Sequence, residues 1–352
     1  MIETARPEFI VGDEKKFSDF ISKLNDKGKI ALISHTDLDG IASAKIVNSA
    51  VDASLVKFVN YKDLNVELVR ELEENKIEKI IFTDLFFKDS SILVLNDIEK
   101  FAEILIIDHH TFEVDFNSDR ITFLNAKGYC AAYICYFLFS KIKNLQKYDW
   151  LAACASVSDF CYSRNQEWME EIYEKYEDKF EIEGMFIRKK GKMWDLQYTL
   201  SLLLVYFDDN LKEAFDKIDS DIGKVRDLEK YSSKILEEIE ECLNRFEHEK
   251  IEFVDGYFWE FNPYYHIKSI VINDISSRYI DKTIIIGAVD EKNYLVSARR
   301  QDGKVDTNKL LKELVNGFEN AGAGGHFKAA GGYILLKDRE EFKKRLKNLQ
   351  FF

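Results

Sequence analysis

The chain has 352 residues, 46% hydrophobic and 32% charged, and 50 Lys and Arg against 63 Asp and Glu give it a net charge of −13. This is the balance of a soluble globular protein long enough for two cores, not of a disordered chain. No apolar run reaches the roughly 18–20 residues of a membrane helix, MIETARPEFI lacks a signal-peptide plan, and the acidity excludes a general coater of double-stranded DNA.

Along the chain, Lys29–Ser34 (KIALIS) is an apolar run too short for a helix, followed by a helix at 41–50 and a strand at 54–59. Residues 65–76 carry apolar positions at helical spacing, 79–83 form a third strand, 91–101 a helix, 103–107 a fourth strand and 120–124 a fifth. Strands alternating with helices, built from continuous β-branched runs, predict an α/β fold over 1–160, with a doubly wound parallel sheet covered on both faces. Residues 161–250 read as a helical insert and linker that holds 23 acidic and 15 basic residues, more than half of the net charge. Within it Val225, Leu228, Ile235, Ile239, Cys242 and Phe246 keep a three-four spacing, which predicts one long amphipathic helix joining two domains. Strand signals return at 251–255, 257–261, 283–289, 293–298 and 332–336, with helices at 307–318 and 338–349, so 251–352 is expected to be a smaller C-terminal α/β domain. The cysteines at 130, 135, 154, 161 and 242 form no CxxC pair and read as reduced thiols of a cytoplasmic protein.

The polar residues gather where the apolar runs stop. The first strand ends in His35-Thr-Asp37-Leu-Asp39-Gly40, the third at Asp84 and the fourth at Asp108-His109-His110. In a parallel sheet all carboxyl ends share one edge, so these segments are delivered to one place. Four carboxylates and three imidazoles cannot crowd there uncompensated, because repulsion and desolvation would shift their pKa values, whereas a pair of divalent cations removes the conflict. Mixed imidazole and carboxylate donors suit Mn, Fe, Co or Zn better than Mg or Ca. Gly40 is expected to allow the tight turn into the following helix. The small-residue helix of YDWLAACASVSDF (148–160) ends in Asp159, a further carboxylate. His248 and His266 lie outside any such motif and read as surface or packing residues.

These residues resemble the DHH phosphoesterase superfamily. His35-x-Asp37-x-Asp39-Gly40, Asp84, Asp108-His109-His110 and Asp159 are similar to its four ordered motifs, and Gly324-Gly325-His326 with Ala329-Ala330-Gly331-Gly332 resembles the DHH-associated C-terminal domain. The resemblance covers about 25–160 and 250–340 and is nearest to RecJ-like and oligoribonuclease-like members through NAKGYCAAY (125–133) and LAACASVSDF. It departs from the family at Ala323, which stands where many relatives have the first glycine of Gly-Gly-Gly-His.

The resemblance implies two Mn²⁺ ions, Mg²⁺ or Co²⁺ being alternatives. His35, Asp37 and Asp84 would hold one, and Asp39, Asp84, His109 and Asp159 the other, with Asp84 bridging. Asp108 and His110 would act as catalytic groups that orient the ligands and neutralise phosphate. Arg299, its neighbour Arg300, Gly324, Gly325 and His326 would bind the substrate's phosphate across a cleft between the domains. The expected activity is exonucleolytic removal of nucleotides from single-stranded DNA or short RNA/DNA oligonucleotides, in the RecJ 5′→3′ mode, by in-line water attack. Two alternatives stay open: a phosphatase or phosphodiesterase of small nucleotides (a cyclic dinucleotide or adenosine bisphosphate), and a Cdc45-like replication scaffold. The expected partner is a single-stranded nucleic acid rather than a membrane, with the helical segment as the place for a replication or repair protein.

Overall fold

The apolar runs of the N-terminal half form an all-parallel sheet in the computed structural model, which describes residues 6–25, 28–183 and 186–349. Its five strands are β1 (Lys29–Ser34), β2 (Leu55–Phe58), β3 (Ile77–Thr83), β4 (Glu103–Asp108) and β5 (Ile121–Asn125), in the order β2-β1-β3-β4-β5. The helices of this half are α1 (Glu14–Ser22), α2 (Leu38–Val51), α3 (Val66–Glu74), α4 (Ser90–Glu99), α5 (Ala131–Phe139) and α6 (Asp149–Ser158). Successive strand residues point to opposite faces, and here both faces are covered, so each strand feeds two cores. Leu32, Ile81, Leu105 and Ile107 pack in one core with α1, α2, α5 and α6; Ile33, Ile80, Phe82 and Ile106 pack in the other with α3 and α4.

Helix α2 begins three residues before the position expected from its apolar pattern. Asp37 caps it, accepting a hydrogen bond from the Gly40 amide at 3.0 Å, and this local bond offsets the poor helix propensity of Asp39 and Gly40.

Helices α7 (Gln166–Lys175), α8 (Lys192–Tyr206) and α9 (Leu211–Lys217) follow, with a minimal pair of two-residue strands, β6 (Ile182–Glu183) and β7 (Phe186–Ile187), between α7 and α8. Trp168, Ile172, Leu203 and Phe215 from these helices belong to the same core as α2, α5 and α6. The chain divides into two compact units, one up to Ser232 and one from Ser233. The expected long amphipathic helix is shorter than its pattern: Val225 and Leu228 lie in a 3-10 segment, Ile222–Leu228, and α10 (Glu229–Glu249) starts after it. Ile235, Ile239, Cys242 and Phe246 are buried as the spacing predicts.

The second unit contains β8 (Ile251–Phe253), β9 (Gly256–Glu260), α11 (Lys268–Arg278), β10 (Thr283–Asp290), β11 (Asn293–Arg299), α12 (Thr307–Val315), β12 (Gly322–His326), β13 (Ala329–Leu335) and α13 (Arg339–Lys347). Its six-stranded sheet has the order β12-β13-β11-β10-β9-β8, with β9 and β10 parallel and the other pairs antiparallel. Along β11, Tyr294, Val296 and Ala298 are buried in the core that holds Leu311, Leu314 and Phe342, while Arg299 and Ser297 are only half-buried. The glycine-rich stretch ahead of the strand expected at 332 is a hairpin of two strands joined at Phe327-Lys328. Backbone pairing overrides the low strand propensity of its glycines. Among the described residues, no helix is long and apolar enough to cross a membrane.

Glu260 links three elements of this unit. It accepts from Arg339 Nε at 2.7 Å and from Tyr294 Oη at 2.5 Å, and pairs with Lys343 Nζ at 2.5 Å. Burial alone would raise its carboxyl, but Arg339, Lys343 and Tyr294 bring it from the ordinary 4.5 down to about 2. A depressed carboxyl stabilises the fold above its unfolded pKa, and that contribution disappears as pH falls through about 2. Glu260→Gln should therefore cost about 1–2 kcal/mol at pH 7, after allowance for solvent screening. Calorimetric unfolding should show the variant closing on the wild type as pH falls from 5 to 2; an unchanged gap at low pH would contradict this account.

Candidate metal centre

The order β2-β1-β3 makes β1 and β3 the point where the chain's connections diverge, and ligands of such sheets sit at the carboxyl ends there. His35 leaves β1 directly. Gly40 closes α2's first turn against it: a Cβ at this position would stand 2.4 Å from the His35 carbonyl oxygen. The glycine therefore serves a close approach rather than a loop turn. Beneath the site, the buried Ser34 hydroxyl donates to the Gly40 carbonyl at 2.7 Å and meets Thr83 Oγ1 at 2.7 Å, tying the ends of β1 and β3 together.

Asp39 is completely buried in α2's first turn. Its two oxygens accept the Ala131 and Ala132 amides, each at 2.7 Å, so the open N-terminus of α5 holds this carboxylate in one orientation. Asp84 follows β3 with φ +58°, a left-handed conformation that Asp tolerates better than most residues, and its side chain is buried. At the end of β4, Asp108 Oδ1 stands 2.8 Å from His110 Nδ1, and Asn125 donates to the His110 carbonyl at 2.9 Å. His109 has Nδ1 at 3.8 Å from Cys161 Sγ. Asp159 stands at the C-terminal end of α6.

The side chains converge on one cluster. His35 Nδ1 lies 2.9 Å from Asp37 Oδ2 and 3.6 Å from Asp84 Oδ2. His109 Nε2 lies 3.2 Å from Asp84 Oδ1, 3.4 Å from Asp159 Oδ2 and 3.7 Å from Asp39 Oδ2. Two donor sets result, each with its atoms within 4.8 Å of one another: His35, Asp37 and Asp84, and Asp39, Asp84, His109 and Asp159. Asp84 belongs to both. His110 is more peripheral, joining Asp84 and His109 in a third set with Nδ1 3.9 Å from Asp84 Oδ1.

The electrostatics are strained. Burial, with the charges of Asp84 and Asp159, pushes Asp39 well above the usual carboxylate range, and burial with the charge of Asp37 raises Asp84. Burial and the charges of Asp37 and Asp84 raise Asp159 to about 7. Burial works against the charged imidazoles, yet Asp37 and Asp84 raise His35 to about 10, and Asp84, Cys161 and Asp39 raise His109 to about 12. Even so, His35 Nδ1, both oxygens of Asp84 and His109 Nε2 are buried with no directed hydrogen bond among the described residues. Buried polar atoms left this way carry a large penalty, and atoms of this chemistry facing one another fit divalent cations.

Three contributors escape a reading of the sequence. Tyr61 lies in the 3-10 turn Tyr61–Asp63 after β2, with its ring centroid 5.2 Å from that of His35. The Phe86 ring lies 6.4 Å from that of His110. Cys161 supports His109. The Asn60-x-x-Asp63 capping box marks the first turn in the sequence, but no local signal shows which histidine the ring meets.

In the second unit, Arg299, Ala329 and His326 pair in register across β11, β13 and β12 and so share one face of the sheet. Arg299 is half-buried and bonds Asn273 Oδ1 at 3.1 Å and the Ala298 carbonyl at 3.0 Å, with no carboxylate ion pair among the described residues. His326 and Gly324 are exposed, with open space above Gly324; Gly325 adopts φ +145°, where a side chain would strike the Ala329 carbonyl. Arg300 departs from its expected phosphate-binding role. It is buried, with Nε 2.7 Å from Asp302 Oδ1 and Nη1 3.0 Å from Asp255 Oδ2, because alternation along β11 turns it away from Arg299's face.

Residues 264–350 match the DHHA1 domain. No curated protein is significantly similar to the chain. Among solved structures, RecJ of Thermus thermophilus in complex with Mn²⁺ superposes with a TM-score of 0.67 at 14% identity, over 98% of this chain and 56% of that one. This chain thus spans little more than half of the Thermus protein. A manganese-bound exonuclease RecJ gives 0.66 at 16% identity over 98% and 95% of the two chains, and CDC45 of Entamoeba histolytica gives 0.61 at 12% over 96% and 99%. Residues 264–350 thus carry a DHHA1 domain, and the chain as a whole has the fold of the RecJ structures.

Proposed function

We propose that this protein is a metal-dependent phosphoesterase that hydrolyses single-stranded DNA or short RNA/DNA oligonucleotides to mononucleotides. The observation that carries the reading is the set of buried donor atoms on His35, Asp84 and His109 that lack a directed hydrogen bond and lie within reach of shared cations. His35, Asp37 and Asp84 would hold one divalent ion, and Asp39, Asp84, His109 and Asp159 a second. Two Mn²⁺ ions, or Mg²⁺ or Co²⁺ in their place, would supply an acidified water and neutralise charge at phosphorus.

The chain's own residues do the rest. The α5 N-terminus fixes Asp39, and Cys161 fixes the His109 ring, as groups behind metal-binding side chains commonly do. Burial opposes protonation of His110, but its bond to Asp108 raises its pKa, which favours a proton on this partly exposed imidazole, a group suited to a phosphate oxygen or leaving group. In the second unit, the rung of Arg299 and His326 presents donors to an anion beside exposed Gly324. Arg300, committed to Asp302 and Asp255, is left out of this role.

The test is hydrolysis with Mn²⁺ over single-stranded oligonucleotides of several lengths and both end chemistries, beside cyclic dinucleotides and adenosine bisphosphate. Mononucleotide release from the oligonucleotides is expected. Turnover of the small nucleotides alone would replace this reading with a small-nucleotide phosphatase, and no turnover of any substrate would support a scaffold.

A further inference from the structure

Two half-exposed aromatic rings flank the metal cluster and serve neither core. Phe82 and Phe87 are buried under the sheet edge, yet Tyr61 is 42% exposed and Phe86 only partly covered. Tyr61 is held in place by its turn. The Asn60 amide donates to Asp63 Oδ2 at 2.9 Å, and Thr36 Oγ1 donates to Asn60 Oδ1 at 3.1 Å, which ties the turn to the loop carrying His35 and Asp37. Its ring tilts 32° to that of His35. Phe86, two residues past Asp84, tilts 35° to His110, with Lys88 Nζ 5.8 Å from its centroid. One ring thus stands beside the imidazole of the first donor set, and the other beside the Asp108–His110 pair.

We propose that Tyr61 and Phe86 are base-stacking platforms on either side of the cleaved phosphodiester, and that the substrate is a single strand carrying a base on each side of that bond. This rests on the phosphodiesterase reading and sharpens it. Ring stacking is the sequence-tolerant way to hold single-stranded nucleic acid, since every base has a π face, and a lysine beside a ring can meet the adjoining phosphate. Inorganic phosphate or pyrophosphate offers no surface to either ring.

The test uses the full chain and two DNA strands, one intact and one abasic at the nucleotides flanking the cleaved bond. Hydrolysis is measured with Mn²⁺, and strand binding separately with Ca²⁺ in place of Mn²⁺. The wild type should prefer the intact strand by about tenfold or more. Tyr61→Leu and Phe86→Leu should each raise KM for the intact strand by about five- to tenfold while kcat and the abasic strand change little, and Tyr61→Phe should behave as wild type. Melting curves and calorimetric Mn²⁺ affinity verify that each variant is folded and loaded. Equal losses on both strands, or a matching fall in Mn²⁺ affinity, would make the rings mere supports for the histidines and overturn the proposal. So would a wild type that binds intact and abasic strands equally. If no strand is cleaved but base-dependent binding still falls in the leucine variants, the stacking stands and the catalytic reading fails.

Discussion

Replacing Asp84 by Asn should abolish metal-dependent hydrolysis and at the same time raise the melting temperature of the metal-free protein. Asp84 is buried, neither of its oxygens has a hydrogen bond among the described residues, and it belongs to both donor sets. Burial and the charge of Asp37 already push its pKa up, so in the absence of metal it is a source of strain. Asn keeps the shape, removes the charge and tolerates the left-handed backbone at φ +58°, whereas Ala would add backbone strain. Relief of this repulsion should stabilise the apoprotein by about 1 kcal/mol or more, a rise of roughly 2–4 °C for a unit of this size. In the wild type, Mn²⁺ at a hundred times its Kd should add about 2.7 kcal/mol, and in Asp84→Asn this increment should vanish. Activity should fall by more than about a thousandfold. Melting curves with and without Mn²⁺ decide the matter. A lower melting temperature in the apoprotein, or an undiminished response to Mn²⁺, would show that Asp84 is a structural carboxylate and not the shared ligand.

Much of this site is legible in the sequence because of how a parallel sheet is built. Strands buried on both faces must be apolar throughout, so KIALIS and EILII announce themselves, and the first charged residue marks the edge where sites form. His35, Asp37, Asp39, Asp84 and His109 could be placed near one another from that rule alone. Asp159 could not, since it arrives from a helix end; its place came from the resemblance. What the sequence conceals is contact between distant elements. Tyr61 and Cys161 meet their histidines across the fold, with no period or motif to reveal it. Local competition misleads in two places. Asp37's cap starts α2 earlier than its apolar residues suggest, and sheet pairing turns a glycine-rich stretch into a hairpin. Arg300 shows the cost of inferring a role from adjacency, because a strand sends neighbours to opposite faces.

Metal binding should be steeply dependent on pH, with the sign set by the histidines. A folded-state pKa of about 10 for His35 and about 12 for His109 means that both imidazoles carry a proton at neutral pH in the metal-free cluster, held there by the surrounding carboxylates. Only the neutral ring can donate its lone pair to a metal, so each must release its proton on binding. Asp159, raised to about 7, adds a further fractional proton below that pH. Releasing about one proton per ion makes each ion's apparent Kd fall about tenfold per unit of rising pH, hence about a hundredfold between pH 6 and 8. Calorimetric Mn²⁺ titrations in two buffers of different ionisation enthalpy count these protons directly. His109→Gln should lower the count by about one and flatten the slope in proportion, because it removes one titrating group while leaving Asp84 and Asp39 in place. A count near zero, or a slope that is unchanged in the variant, would mean that the imidazoles are not ligands and that the cluster's charges are balanced from within, by ion pairs between its own histidines and carboxylates.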